Sequence, residues 1–181
     1  DSVYEDCLKS LALMHRTKDA VATAMLSVVA QTIGALTGRT KGPDTLNDDS
    51  FDEEGFPAKM ESMGLALIAA WYFVHKLEVL YLNEDYAGAL ELVAQGDRTV
   101  ESAAFLYIIA EHPFYSALTL AALYPTRNHE EQASFAQRIS DYIGKLEVFA
   151  ENCPENYRHK LLLVRAEHAR IERRDAEALA L

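Results

Sequence analysis

HEEQASFAQRISDYIGKLEVFAE, residues 129–151, is the stretch whose reading decides the fold. Its large apolar side chains Phe135, Ile139, Tyr142, Leu146 and Phe149 recur at spacings of four, three, four and three. That alternation follows the 3.6-residue turn and puts all five on one face of an amphipathic α-helix. Asn152-Cys153-Pro154 reads as the turn that follows. Residues 155–173 then repeat the spacing with Tyr157, Leu161, Val164, His168 and Ile171, and residues 175–181 begin another helix.

Upstream, residues 101–124 are apolar, with His112-Pro113 in the middle. Proline inside a helix removes a backbone hydrogen bond at a cost of about 3 kcal/mol. A break or a new helix start is therefore expected at Pro113, and Pro125 ends the helix after it. Residues 86–95 read as a helix that stops at Gly96, after the turn Asn83-Glu84-Asp85. Pro57, suited to a first helical turn, opens one long helix to about Leu82. Met60, Met63, Leu67, Trp71, Val74 and Glu78 mark one of its sides, and Ala66, Ala70, Phe73, Leu77 and Leu80 another. Two apolar sides predict a helix packed between layers.

Residues 38–56 interrupt the pattern with Gly38, Gly42, Pro43 and Gly55 and carry the acidic run Asp48, Asp49, Asp52, Glu53 and Glu54. Their spacing does not match the ligand positions of a calcium-binding EF-hand, and they read as a solvated acidic loop. Residues 2–15 and 18–37 form two more helices. The second has Ala24, Val28, Gln31 and Ala35 on one face and Val21, Met25, Val29 and Ile33 on another, so it too is expected to be sandwiched. No strand-like alternation extends beyond a few residues. The reading is all-α.

Half of the 181 residues are hydrophobic, enough for a sizeable core in one domain over 1–181. Lys plus Arg is 17 and Asp plus Glu 28, a net charge of −11, which opposes binding to nucleic-acid phosphates. Arg165, Arg170, Arg173 and Arg174 are interleaved with Glu167 and Glu172, as on a solvated helix face with local ion pairs. Cys7 and Cys153 are expected to be free thiols in a reducing cytoplasm. Asp1, Glu5 and Asp6 occupy the place of the basic region of a signal peptide. The apolar runs 64–74 and 116–124 are too short to span a membrane. The missing initial Met and the helical ending Ala178-Leu179-Ala180-Leu181 suggest a segment of a longer chain.

There is no phosphate-binding glycine-rich loop followed by Lys-Ser/Thr, and no kinase catalytic signature. His75 and Glu78 are three apart and His168 and Glu172 four apart, but the Glu-x-x-His order of di-metal bundles never occurs. His75 is expected in the core or an interface, His112 satisfying backbone groups at a helix start, and His159 on the surface. Asn152 and Asn156 are expected to cap the helices on either side of Pro154. Ser116 and Cys153 show no partnering base for nucleophilic catalysis. The aromatics Tyr107, Phe114, Tyr115, Tyr124, Tyr142, Phe149 and Tyr157 are core at helical spacing or line a partner groove. Catalytic, cofactor-binding and metal-ligating residues are all read as none.

A weak internal repeat resembles tetratricopeptide pairs, in which two antiparallel helices meet through small residues. Its positions are Phe73, Leu77, Leu80, Tyr86, Ala89 and Val93 in one stretch, and Leu162, Ala166, Ala169, Asp175 and Ala178 in another. Ala89 and Ala178 are expected where paired backbones approach. Glycine is missing from the two turns, where Glu84 and Arg173 stand instead. The strings Glu111-His112-Pro113-Phe114-Tyr115-Ser116-Ala117-Leu118, Leu123-Tyr124-Pro125 and Asn152-Cys153-Pro154-Glu155-Asn156-Tyr157-Arg158-His159-Lys160, and the stretch from Val164-Arg165-Ala166-Glu167 to Ala178-Leu179, carry a further resemblance. They are similar to the helical central region of very large bacterial multi-sensor signalling kinases. Those proteins combine a Ser/Thr-kinase-like domain, an AAA-type ATPase, this region, a GAF sensor and a histidine kinase. The resemblance covers most of residues 3–181, with Pro113 where the pattern has a polar residue.

The resemblance implies stacked antiparallel helix pairs, as a right-handed tetratricopeptide-like solenoid or bundle. It implies a cytoplasmic, non-catalytic scaffold between the ATPase and the sensor and kinase domains, with no cofactor. Its partners would be the flanking domains and other proteins, not nucleic acid or membrane, and an oligomer is compatible with the exposed ends of such a stack. The alternative is a stand-alone helical domain that binds a small apolar ligand, motivated by the apolar helices at 18–37 and 57–82.

Overall fold

A computed structural model describes residues 2–103 and 107–181. Among them are α-helices and short 3-10 turns and no strand, as the periodicity predicts. The helices are α1 (Ser2–Thr17), α2 (Ala20–Leu36), α3 (Phe56–Ser62), α4 (Ala66–Leu82), α5 (Tyr86–Thr99), α6 (Ile108–Leu123), α7 (His129–Asn152), α8 (Pro154–Ile171) and α9 (Asp175–Ala180). None is long and apolar enough to cross a membrane. Residues 104–106 of the apolar stretch 101–124, and Asp1, lie outside the described residues.

Each helix packs on its chain neighbour, except across the long loop between α2 and α3. A second set of contacts joins α2 to α4, α4 to α6, and α6 to α8. The deciding helix α7 behaves as its sequence requires. Phe135, Ile139, Tyr142 and Leu146 are buried in one stripe with Ala150, while Phe149 at the edge is half-buried. Asn128 and Glu131 cap its start reciprocally, each side chain accepting from the other's backbone N–H at 3.0 and 3.2 Å. By contrast α4 and α6 are buried over most of their girth and form the middle of the molecule. One core cluster unites α4 to α8 around Leu77, Val93, Leu120, Ile139 and Leu146. A second joins α2 to α4 around Val28, Leu46 and Val74.

Five helix ends share one closure. The residue one or two places past the end takes a left-handed φ at Lys18 (58°), Gly38 (72°), Gly64 (74°), Glu84 (62°) and Arg173 (60°). At each, the next residue's N–H donates to a carbonyl five back, as in Asp19 to Met14, Leu65 to Met60, Asp85 to Leu80 and Arg174 to Ala169. This paired bonding satisfies carbonyls that the helix leaves open. Asp19 and Asp85 then start the next helix, accepting from Ala22 N–H at 2.9 Å and Gly88 N–H at 3.0 Å.

Four expectations need correction. The helix over 57–82 is two helices, split at Met63-Gly64-Leu65 by the left-handed Gly64. Gly96 does not end a helix, for α5 runs on to Thr99. A Cβ at 96 would strike the His112 ring, so the glycine serves close approach between α5 and α6. Pro113 neither breaks nor starts a helix but lies in the second turn of α6, where it leaves only the Ile109 carbonyl without its helical donor. Nor is the acidic loop merely solvated. Leu46 within it is fully buried, and Asp48 and Glu53 are held by specific partners described below, while Asp49, Asp52 and Glu54 are exposed.

Candidate functional site

Three buried polar clusters lie where helices meet. The first ties the acidic loop to α4. Lys76 is 8% exposed, and its ammonium donates to both Glu53 carboxylate oxygens at 2.8 and 2.9 Å and to the Asp44 carbonyl at 2.6 Å. Glu53 also accepts from the Thr45 hydroxyl at 2.7 Å and the Leu46 N–H at 3.1 Å. Tyr72 donates to it at 3.4 Å, and burial beside this carboxylate pushes the Tyr72 hydroxyl's pKa well up. Asp48 accepts from Gln31 on α2 at 2.8 Å and from the Ser50 and Phe51 N–H groups. Burial opposes its charge, but these bonds outweigh burial and hold its pKa down.

The second cluster sits between α5, α6 and α7. His112 is 1% exposed, with Nε2 3.3 Å from the Val93 carbonyl and 3.2 Å from the Ser116 hydroxyl. Its Nδ1 is buried without a partner. Asp97 lies 3.9 Å from Nε2, accepts from Arg138 at 2.9 Å, and accepts from the Tyr142 hydroxyl at 2.9 Å. Burial pushes the His112 pKa down to about 4 against the opposing pull of Asp97, so the ring is neutral near pH 7. Burial and Asp97 also push Tyr142 up to about 12, against the pull of Arg138.

The third cluster is a polar seam across α4, α6 and α8. Tyr107 Oη lies 3.1 Å from His75 Nε2 and the Trp71 ring packs edge-on to both. Glu78 accepts from the Tyr115 hydroxyl at 3.1 Å, and Lys160 on α8 donates to Glu111 while covering the Phe114 ring. His75 Nδ1 is 3.6 Å from Glu78, too far for a hydrogen bond. Burial would raise the Glu78 pKa, but His75, Tyr115 and Lys160 outweigh it and hold the carboxyl low. Tyr107 is 48% exposed, and Leu163, one turn on from Lys160, is exposed as well. The seam therefore joins α4, α6 and α8 through largely buried aromatic and charged groups and opens to solvent at Tyr107 and Leu163.

Of the groove aromatics read from the sequence, Tyr107 and Tyr115 belong to the seam. Phe114 and Tyr142 are core, Phe149 packs on Tyr157 at 5.5 Å, and Tyr124 is half-buried beside α7. His75 is buried, as expected, and His159 is exposed. His112 does bond a backbone carbonyl, but one of α5 and from inside a helix. Asn152 donates to the Val148 carbonyl at 2.6 Å, as a helix-end residue should, whereas Cys153 stands at the start of α8 without a side-chain cap and Asn156 lies in its first turn. Arg165, Arg170 and Arg174 form ion pairs with Glu147, Glu167 and Glu172. Cys7 and Cys153 are free thiols, and no cluster of three metal-type ligands occurs among the described residues.

No family model, curated protein or solved structure matches this chain. The sequence reading missed Asp97, Arg138, Lys76 and Glu53 as partners, because each pair joins residues 23 to 41 positions apart. The one local signal was Gly96, whose missing side chain marks the place where His112 enters.

Proposed function

We propose that this chain is a non-catalytic scaffold, a stack of helix pairs of the tetratricopeptide type that positions other protein domains. The observation that carries this reading is the order of packing. The helices α2, α4, α6 and α8 each touch the next, while α5 touches both α4 and α6, and α7 both α6 and α8. Contacts confined to near neighbours are what repeat stacks use to build a continuous core. The turns before α5 and α9 support the same reading, since both place a left-handed residue at the same step between paired helices. Ala89 in the first pair is fully buried and its counterpart Ala178 half-buried, in keeping with close backbone approach.

On this reading the seam of Tyr107, Glu78, Tyr115 and Lys160 faces a partner. The resemblance of the 111–118, 152–160 and 164–179 strings would place that partner among the ATPase, sensor and kinase domains of a bacterial signalling protein. The test is an in-frame excision of residues 66–171 from the full-length chain, with the flanking domains kept. Loss of signal-dependent regulation with retained basal activity is expected. Regulation unchanged by the excision would overturn the scaffold reading.

A further inference from the structure

A cleft of about 450 Å³ opens between the end of α1, α2, α3 and the later part of the acidic loop, Ser50 to Asp52. It falls within the usual size of small-molecule sites, roughly 300–1,000 Å³. Its floor continues the small core cluster of Met60, Ile68 and Ala69, against which Phe56 and Leu65 are only partly buried. Met63 stands 55% exposed at its edge. The cleft lies along the first half of α2, between its contacts with α1 and α4. Ala24 and Met25 are half-buried, and Val21 is exposed, while α1 beside them contains no buried residue. These partly exposed apolar groups leave the cleft wall free to meet an apolar ligand.

The charge of the cleft says what that ligand is. The chain carries a net charge of −11, yet Lys18, Lys59 and His15 line this opening. Neither lysine is engaged by a carboxylate among the described residues, whereas Asp52, the one acid of the lining, accepts from the Glu54 N–H at 3.2 Å. An apolar floor of flexible methionines under two free ammonium groups is complementary to a single aliphatic chain with an anionic head. We propose that this cleft binds a monomeric aliphatic carboxylate, its chain over Met60 and Met63 and its head between Lys18 and Lys59. The proposal is independent of the scaffold reading, since the seam and the cleft share no residue.

Titration of the intact chain with dodecanoate, below its micellar concentration, tests this by the methyl resonances of Met60 and Met63. Saturable shifts of both to a one-to-one end point are expected. Uncharged dodecanol should bind at least about fivefold more weakly, because each exposed ion pair is worth about two- to fivefold in affinity. Lys18→Gln and Lys59→Gln should each weaken dodecanoate by about two- to fivefold without affecting dodecanol. Met63→Glu, at a position 55% exposed, should weaken both ligands. Equal affinity for the two ligands, or shifts that do not saturate, would overturn the proposal. So would a dimer that protects Met63 without ligand, or association with phosphatidylglycerol vesicles in place of the monomer.

Discussion

His112 shows what a single residue is held to by its surroundings. Its ring fits only because position 96 lacks a side chain, and its depressed pKa makes the fold sensitive to acid. The unfolded chain binds a proton at the ordinary value near 6.5, whereas the folded chain resists until about pH 4. The contribution is therefore complete above pH 6.5 and is lost as pH falls toward 4. It amounts to about 3 kcal/mol over that window. Urea unfolding of wild type and His112→Gln at pH 7 and pH 4.5 checks this. The variant should lose less stability between the two pH values, and parallel losses would remove His112 as the source. The sequence made His112 legible as a residue that satisfies backbone groups, though it placed them at a helix start. It did not reveal which carbonyl, because Val93 lies 19 positions away on another helix.

Helices were legible wherever one apolar stripe decides their packing, as in α7 and α8. They were misread where one residue changes the backbone path. Gly64 was hidden inside a pattern that remains apolar on both sides of it, and its left-handed φ of 74° splits that pattern into α3 and α4. Gly96 produced the opposite error, a stop that turned out to be a contact. The five left-handed closures also differ in strain. Only Gly38 and Gly64 occupy that region without a Cβ, while Lys18, Glu84 and Arg173 bear the cost, about 1–2 kcal/mol per residue. Glu84→Gly should accordingly raise stability by about 1 kcal/mol. Gly64→Ala should lower it by a similar amount, since its Cβ would meet nothing within 4 Å and only the backbone conformation is penalised. Thermal melts of the two variants should move in opposite directions, and a shared direction would contradict the strain account.

Across the whole molecule, contacts run between helices adjacent or next but one in the chain. The helices that make these contacts were legible from helical periods and turns. The clusters that tie the pairs together were not, for Lys76 with Glu53 and Arg138 with Asp97 follow from no local spacing. Native-state hydrogen exchange should report graded opening, lowest at α1 and α9, where no residue is buried, and highest in α4 and α6. One common opening energy for every helix would argue against a stack with near-neighbour coupling.

The pin at Lys76 also bears on how the chain is made. Its partners, Asp44 and Glu53, both precede it, so the acidic loop can close as soon as α4 has left the ribosome. Each later helix likewise finds a surface already synthesised, and docking can follow translation in order.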